Sequence, residues 1–256
     1  MKTHGQKLSH GFKEECAVFG IWNHPEASRL SYLGLYALQH RGQEAAGIVS
    51  LYEGQHLIHK SQGLVADVFS EEVLDSLKGR SSIGHNRYST TGSNEKYNIQ
   101  PLKANLCNVP VSLAHNGNII NSKSLREDLK RQGSIFQGTN DTELFLHLIA
   151  RNPKNDMLEC LKEELPKLEG AFSMVLLNKD ALYVLRDTKG FRPLVLGKRR
   201  QDDGKISYVV ASETCAFDLV GAEFVRAVEP GEVLKISNEG MESKFFAEKE
   251  EKLKHC

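Results

Sequence analysis

The chain has 256 residues, 40% of them hydrophobic and 26% charged, with 21 glycines. These are the proportions of a folded globular protein that buries roughly 73% of its unfolded surface, and they exclude disorder and collagen-like repeats. Lys and Arg together number 33 and Asp and Glu 33, so the chain lacks the positive field that attracts nucleic acid or an anionic membrane, and a small-molecule ligand is the expected partner.

The first fifteen residues, MKTHGQKLSHGFKEE, mix Lys and Glu with no apolar block and do not read as a secretory signal. No run of about 18 apolar residues is present to span a bilayer. Cys16, Cys107, Cys160, Cys215 and Cys256 are too few and too irregularly spaced for a disulfide framework or a metal knuckle. A reducing, cytoplasmic location is therefore expected.

After Cys16, AVFGIW reads as a short buried strand closed by the Asn23-His24-Pro25 turn. Residues Ala27 to His40 place Leu30, Leu33, Tyr36 and Ala37 on one helical face, with Gly42 as the stop. Strands follow at 45–52, 55–60, 81–88 and 109–117. A Ser124-x-x-Glu127 capping box opens a second helix that Gly133 closes, an Asn140-x-x-Glu143 box opens a third, and Met157 to Lys167 form a fourth. Segments 170–178, 181–186, 193–197, 206–212, 232–237 and 241–247 read as strands joined by tight turns. Runs of strands with helices in groups between them predict an α+β protein, a four-layer αββα sandwich of antiparallel sheets. The last nine residues, EKEEKLKHC, form a charged stretch that reads either as a solvated tail or as a domain boundary.

Taken singly, each chemically interesting residue has a structural explanation. Cys16 suits a small buried hydrophobe, and Arg41-Gly42 a helix-terminal cation followed by a left-handed glycine. Asn116-Gly117 between apolar runs is a type I′ hairpin signal, while Asp141 after Asn140 favours a helix dipole. Arg87 sits at a strand end, and His40, His85 and His115 suit packed, hydrogen-bonded positions.

Their order is more telling. CAVFGIW from Cys16, LQHRGQEAAGI around Arg41, GHNRYSTTGS around Arg87, SLAHNGNIIN around Asn116 and GTNDTELF around Asp141 together resemble the class II glutamine amidotransferase family, whose nucleophile is an N-terminal cysteine. Within it, QHRGQEAAG and HNRYSTTG resemble the amidophosphoribosyltransferase branch; the aminosugar phosphate synthase branch has EYRGYDSAG and HTRWATHG in their place. The likeness runs from Glu14 to about Glu248 and takes in RDTKGFRPLVLG and VVASETCAFDLVGAEFVRAVEPGEV.

The resemblance implies an N-terminal nucleophile hydrolase fold and a division into a cleavable propeptide (1–15), a glutaminase domain (16–247) and a connection (248–256) to a phosphoribosyltransferase domain beyond it. It implies that L-glutamine is hydrolysed by Cys16, with the Asn116 amide and Gly117 N–H as oxyanion hole. Arg41 and Gly42 would order the site, Arg87 and Asp141 would grip the α-carboxylate and α-ammonium of glutamine, and Thr90 would be a weaker pocket contact. The ammonia would pass to phosphoribosyl pyrophosphate, the first step of purine synthesis, in a homo-oligomer. No cofactor is expected for the glutaminase domain. Magnesium and a four-iron four-sulfur cluster, with Cys256 as one ligand, belong to the full-length enzyme only. The alternatives are the glutaminase of another class II amidotransferase, such as an aminosugar phosphate synthase, or a non-catalytic glutamine-binding relic.

Overall fold

In a computed structural model that describes residues 16–88, 96–106, 109–152 and 154–247, β1 (Ala17–Trp22) leads into α1 (Ala27–Ala37). A 3-10 turn, Gln39–Arg41, precedes β2 (Ala45–Tyr52) and β3 (Gln55–Gln62), and two short helices, α2 (Val65–Val68) and α3 (Glu71–Ser76), return the chain to β4 (Ser81–Arg87). Next come β5 (Leu102–Leu106), β6 (Val109–Ile119), α4 (Ser122–Arg131), α5 (Asp141–Arg151) and α6 (Met157–Glu164). The second half holds β7 (Gly170–Leu177), β8 (Ala181–Arg186), β9 (Val195–Arg200) and β10 (Ile206–Ala211). It ends with α7 (Cys215–Val220), β11 (Glu223–Ala227), β12 (Glu232–Ser237) and β13 (Gly240–Phe245).

Two antiparallel sheets result, in the orders β11-β9-β10-β1-β4-β2-β3 and β13-β12-β8-β7-β6-β5. They stack face to face around Val18, Trp22, Val49, Ile83, Ala114, Val175 and Leu182. Helices α1, α2 and α7 seal the outer face of the first sheet through Leu30, Leu35, Val65 and Phe217. Helices α5 and α6 seal the second through Leu144, Phe145, Leu148, Leu158 and Leu161. This is the four-layer αββα sandwich expected of the sequence. It also explains the unbroken apolar run of β1: Phe19 and Ile21 face the helices while Val18 and Trp22 face the other sheet, so both faces are dry.

Several elements differ from their expected extent. Helix α1 stops at Ala37, and the 3-10 turn takes over the remaining positions to Arg41. Helix α4 begins at Ser122, ahead of the Ser124 box, and Ser124 Oγ donates to Asn121 O (3.0 Å) instead of capping a backbone N–H. Helix α6 ends at Glu164 because Pro166 has no N–H to continue it, and a 3-10 turn follows. The elements missing from the sequence reading, α2, α3, β5, α7 and β11, have four to six residues each, too few to show a period.

Candidate active site

Pairing of β1 and β2 on either side of β4 sets Ala17 opposite Asn86 and Ala45 opposite Arg87. Cys16, just before β1, therefore lies at the sheet end where β4 finishes, and its Sγ donates to Tyr88 O (3.6 Å). Its φ of +72° is left-handed, a conformation that costs a non-glycine residue about 1–3 kcal/mol and is found where tertiary structure imposes it. That imposition is visible: Cys16 N donates to Arg41 O (3.1 Å), and Arg41 Nε donates back to Cys16 O (3.0 Å).

Arg41 is buried. Its Nη1 donates to Glu213 Oε1, and His40 Nε2 lies 3.0 Å from Glu213 Oε2. Burial pushes the Glu213 carboxyl up, but the hydrogen bonds and charges of Arg41 and His40 outweigh it and hold the group below the usual carboxylate range. Gly42 is extended at φ −157°, so the left-handed helix cap expected there does not form. Glycine is required for another reason: a Cβ would sit 2.8–2.9 Å from the backbone of Asn86 and Arg87.

Two pins between the sheets orient β6. His56 Nδ1 bonds Ser112 Oγ (2.7 Å), and His85 Nε2 donates to His115 O (3.0 Å). His56 stands level with Ser81 through Leu51, so β6 runs from 112 to 115 in the direction that β4 runs from 81 to 85. The next residues, Asn116 and Gly117, thus emerge at the end that carries Arg87 and Cys16. Burial pushes His85 down to about 3, so it is neutral at any ordinary pH and acts as a structural pin.

Asn116-Gly117 is not a hairpin turn. Both residues lie inside β6, opposite Ser173 and Phe172 of β7, and the chain continues to Ile119. Gly117 has φ +143°, and a Cβ there would lie 2.1 Å from Ala171 O, which excludes every other residue type. On one side of β6, His115 N donates to Gln100 Oε1 (2.7 Å) and Ile119 N to Asp141 Oδ2 (2.9 Å). The two-residue period of a strand aims the Gly117 N–H to that same side, between them. The Asn116 side chain is fully buried, yet neither Nδ2 nor Oδ1 has a hydrogen-bond partner among the described residues. Leaving a buried polar group unsatisfied costs about 1–3 kcal/mol.

Helix α5 starts as its sequence predicts, with Asn140 Oδ1 accepting from Glu143 N (3.0 Å). The returning half of the box differs: Glu143 accepts from Gln137 N and Gly138 N, and Asn140 N donates to Asn98 Oδ1. Asp141, the first helical residue, straddles the Asn116-Gly117 step by taking the Ile119 N–H on one oxygen and facing His115 Nδ1 with the other (3.2 Å). Burial raises its carboxyl, but His115 and the Ile119 N–H more than compensate, so it stays below the usual range and charged. Arg87 is half-buried and has no carboxylate partner among the described residues.

The structure thus gathers Cys16, Arg41, Gly42, Arg87, Asn116, Gly117 and Asp141 at one end of the two sheets. Residues 1–15, read from the sequence as a propeptide, Thr90, and residues 248–256 with Cys256 lie outside the described residues. Cys160, by contrast, is packed between α5 and α6, where burial pushes its thiol up to about 11. Glu213, Gln100 and the His85–His115 pin were not anticipated as parts of the site. The one local signal for Glu213 is a carboxylate directly following a buried strand in VVASET, where burial without a cationic partner is costly. No helix among the described residues is long and apolar enough to cross a membrane.

Residues 85–218 match the family described as glutamine amidotransferase domain. An amidophosphoribosyltransferase of Staphylococcus aureus (strain MRSA252) is 46% identical over 237 residues, which cover 92% of this chain and 47% of that protein. One from Bacillus subtilis (strain 168) is 46% identical over 93% of this chain and 49% of that protein. A solved B. subtilis glutamine phosphoribosylpyrophosphate amidotransferase, complexed with ADP and GMP, superposes with a TM-score of 0.84 at 45% identity, covering 91% of this chain and 49% of that one. The chain therefore spans about half the length of the relatives it matches.

Proposed function

The chain belongs to the glutamine amidotransferase domain family, and from that premise we propose that it is the glutamine-hydrolysing part of an amidophosphoribosyltransferase, with Cys16 as nucleophile. Its substrate is glutamine. Cleavage of the Glu15–Cys16 bond frees an α-amino group, whose ordinary pKa of about 7.7–8.0 suits it to take the thiol proton and later deliver it to departing ammonia. The thiolate attacks the side-chain amide carbon, giving a tetrahedral oxyanion, then a thioester that water hydrolyses to glutamate. Asn116 Nδ2 and the Gly117 N–H stabilise the oxyanion. Both are held on a rigid strand and need no reorganisation as charge develops.

The observation that carries this reading is the buried Asn116 amide, without a partner among the described residues, beside a Gly117 N–H aimed between two used ones. A chain folding only for stability would spend that hydrogen-bonding capacity. Arg87 offers a planar fork to the α-carboxylate, and Asp141 a charge to the α-ammonium. The phosphoribosyl pyrophosphate acceptor would bind to a part of the enzyme that this chain does not cover.

Two experiments test the proposal. Treatment with diazo-oxo-norleucine, a glutamine-like electrophile, should label Cys16 in peptide maps and stop glutamate release; labelling elsewhere, or none, overturns it. Arg87→Lys keeps the charge but loses the fork, and should raise KM for glutamine by about 10- to 100-fold, the worth of one charge-assisted hydrogen bond. An unchanged KM in steady-state assays would remove Arg87 from the pocket.

A further inference from the structure

Among the described residues, one cluster of unlike donors is left over away from the reacting atoms. His40 in the 3-10 turn, Glu213 after β10 and Cys215 at the start of α7 bring Nε2, a carboxylate oxygen and Sγ within 4.8 Å of one another. His40 Nε2 is 3.0 Å from Glu213 Oε2, and Cys215 Sγ is 3.6 Å from the same oxygen. In a tetrahedral zinc site with bonds of about 2.0–2.3 Å, adjacent ligand atoms stand about 3.3–3.8 Å apart, so small side-chain movements would close the shell. Both His40 and Glu213 are open to solvent on one side, leaving room for a water as fourth ligand.

The imidazole orientation suits the same role. His40 Nδ1 lies 3.2 Å from Ala37 O and Nε2 3.0 Å from Glu213 Oε2, so the ring is held between a backbone carbonyl and the carboxylate. With its hydrogen on Nδ1, the ring would turn its Nε2 lone pair towards a cation shared with the Glu213 carboxylate. A metal in that place would take Cys215 as third ligand. A backbone carbonyl fixing the other ring nitrogen is the usual outer support of a metal-binding histidine.

We propose that His40, Glu213 and Cys215 form a binding site for a thiolate-accepting divalent cation of the zinc class, and that its occupancy slows glutamine hydrolysis by drawing Glu213 away from Arg41. Coordination exchanges the Cys215 S–H bond for a metal–sulfur bond and releases the proton to solvent. Glu213 is the carboxylate on Arg41, and Arg41 holds the Cys16 carbonyl. Charge taken up by the metal therefore loosens the clamp on the nucleophile. The binding half stands by itself, whereas the inhibition half rests on the function proposed for Cys16.

Titrating the purified chain with cobalt(II) should produce a thiolate-to-cobalt charge-transfer band that saturates at one equivalent and is displaced by zinc. The band should persist in Cys16→Ala and vanish in Cys215→Ser and His40→Ala, with the urea unfolding midpoint of Cys215→Ser close to that of the parent chain. One equivalent of zinc should lower the glutaminase rate about tenfold or more, the worth of one charge-assisted hydrogen bond, and a chelator should restore it. Cys215→Ser should be active and insensitive to zinc. No band, or a band that follows Cys16 and not Cys215, overturns the site. A band that follows Cys215 with no change in rate overturns the coupling. If the chain releases no glutamate under any condition, the glutaminase reading fails while the cobalt band still decides the site.

Discussion

Asn116→Ala should lower kcat for glutamine hydrolysis by about 10²- to 10³-fold, the usual loss for one oxyanion donor, with little change in KM. The asymmetry follows from what the amide would touch. It would meet the oxygen as charge develops on it, while Arg87 and Asp141 would grip the zwitterionic end of glutamine. A second, structural signature accompanies the first. Because Nδ2 and Oδ1 have no partners among the described residues, truncating the side chain breaks no hydrogen bond seen among them and removes a buried amide that was costing free energy. The variant should therefore unfold in urea at a midpoint no lower than the parent's, a gain in stability against a loss of function. Asn116→Asp keeps the shape but turns an acceptor towards the oxyanion, and should be at least as inactive. If Asn116→Ala lost stability and activity together, the residue would be a packing element and the oxyanion assignment would fall.

Cys16→Ala should reduce glutamate release to background, and so should any change that leaves the Glu15–Cys16 bond intact. The two losses have different causes. The first removes the proposed nucleophile; the second leaves the thiol in place but ties its proposed base into a peptide bond. Intact-mass measurement beside a glutamate assay distinguishes them, and an uncleaved chain with full activity would refute the amine-as-base mechanism. The Cys16 nitrogen donates to the Arg41 carbonyl, 3.1 Å away; kept in a processed chain, that bond would orient the amine beside its own thiol. The rate should then fall as pH drops below the α-amino range of about 7.7–8.0, because the protonated amine can no longer accept the thiol proton.

The clamp on Cys16 shows why a single residue is a poor unit of inference in this protein. Arg41 fits a helix C-terminal cation equally well on local grounds. Its role follows from contacts with Cys16, 25 positions earlier, and with Glu213, 172 positions later. Such separations carry no local pattern. Gly42 is similar: its small size is demanded by Asn86 and Arg87 from a different strand, not by the helix it follows.

The amino-acid sequence by itself determined the class of fold, most of the strands, the Asn140 start of α5 and the family likeness. These follow from local period, capping chemistry and motif order, all of which are properties of short segments. Asn116-Gly117 marks the boundary of that legibility. The dipeptide prefers a tight turn, but β7 pairs along its whole length and Asp141 holds the strand beyond it, so β6 runs straight through to Ile119. Only the tertiary structure decided that this glycine answers to the carbonyl of Ala171, that the asparagine is buried without a partner among the described residues, and that two interlayer histidine bonds bring both to the end of the sheet that carries Cys16. The physical reason is that a strand's direction and register are set by its neighbours, and in a stack of two sheets those neighbours come from distant parts of the chain.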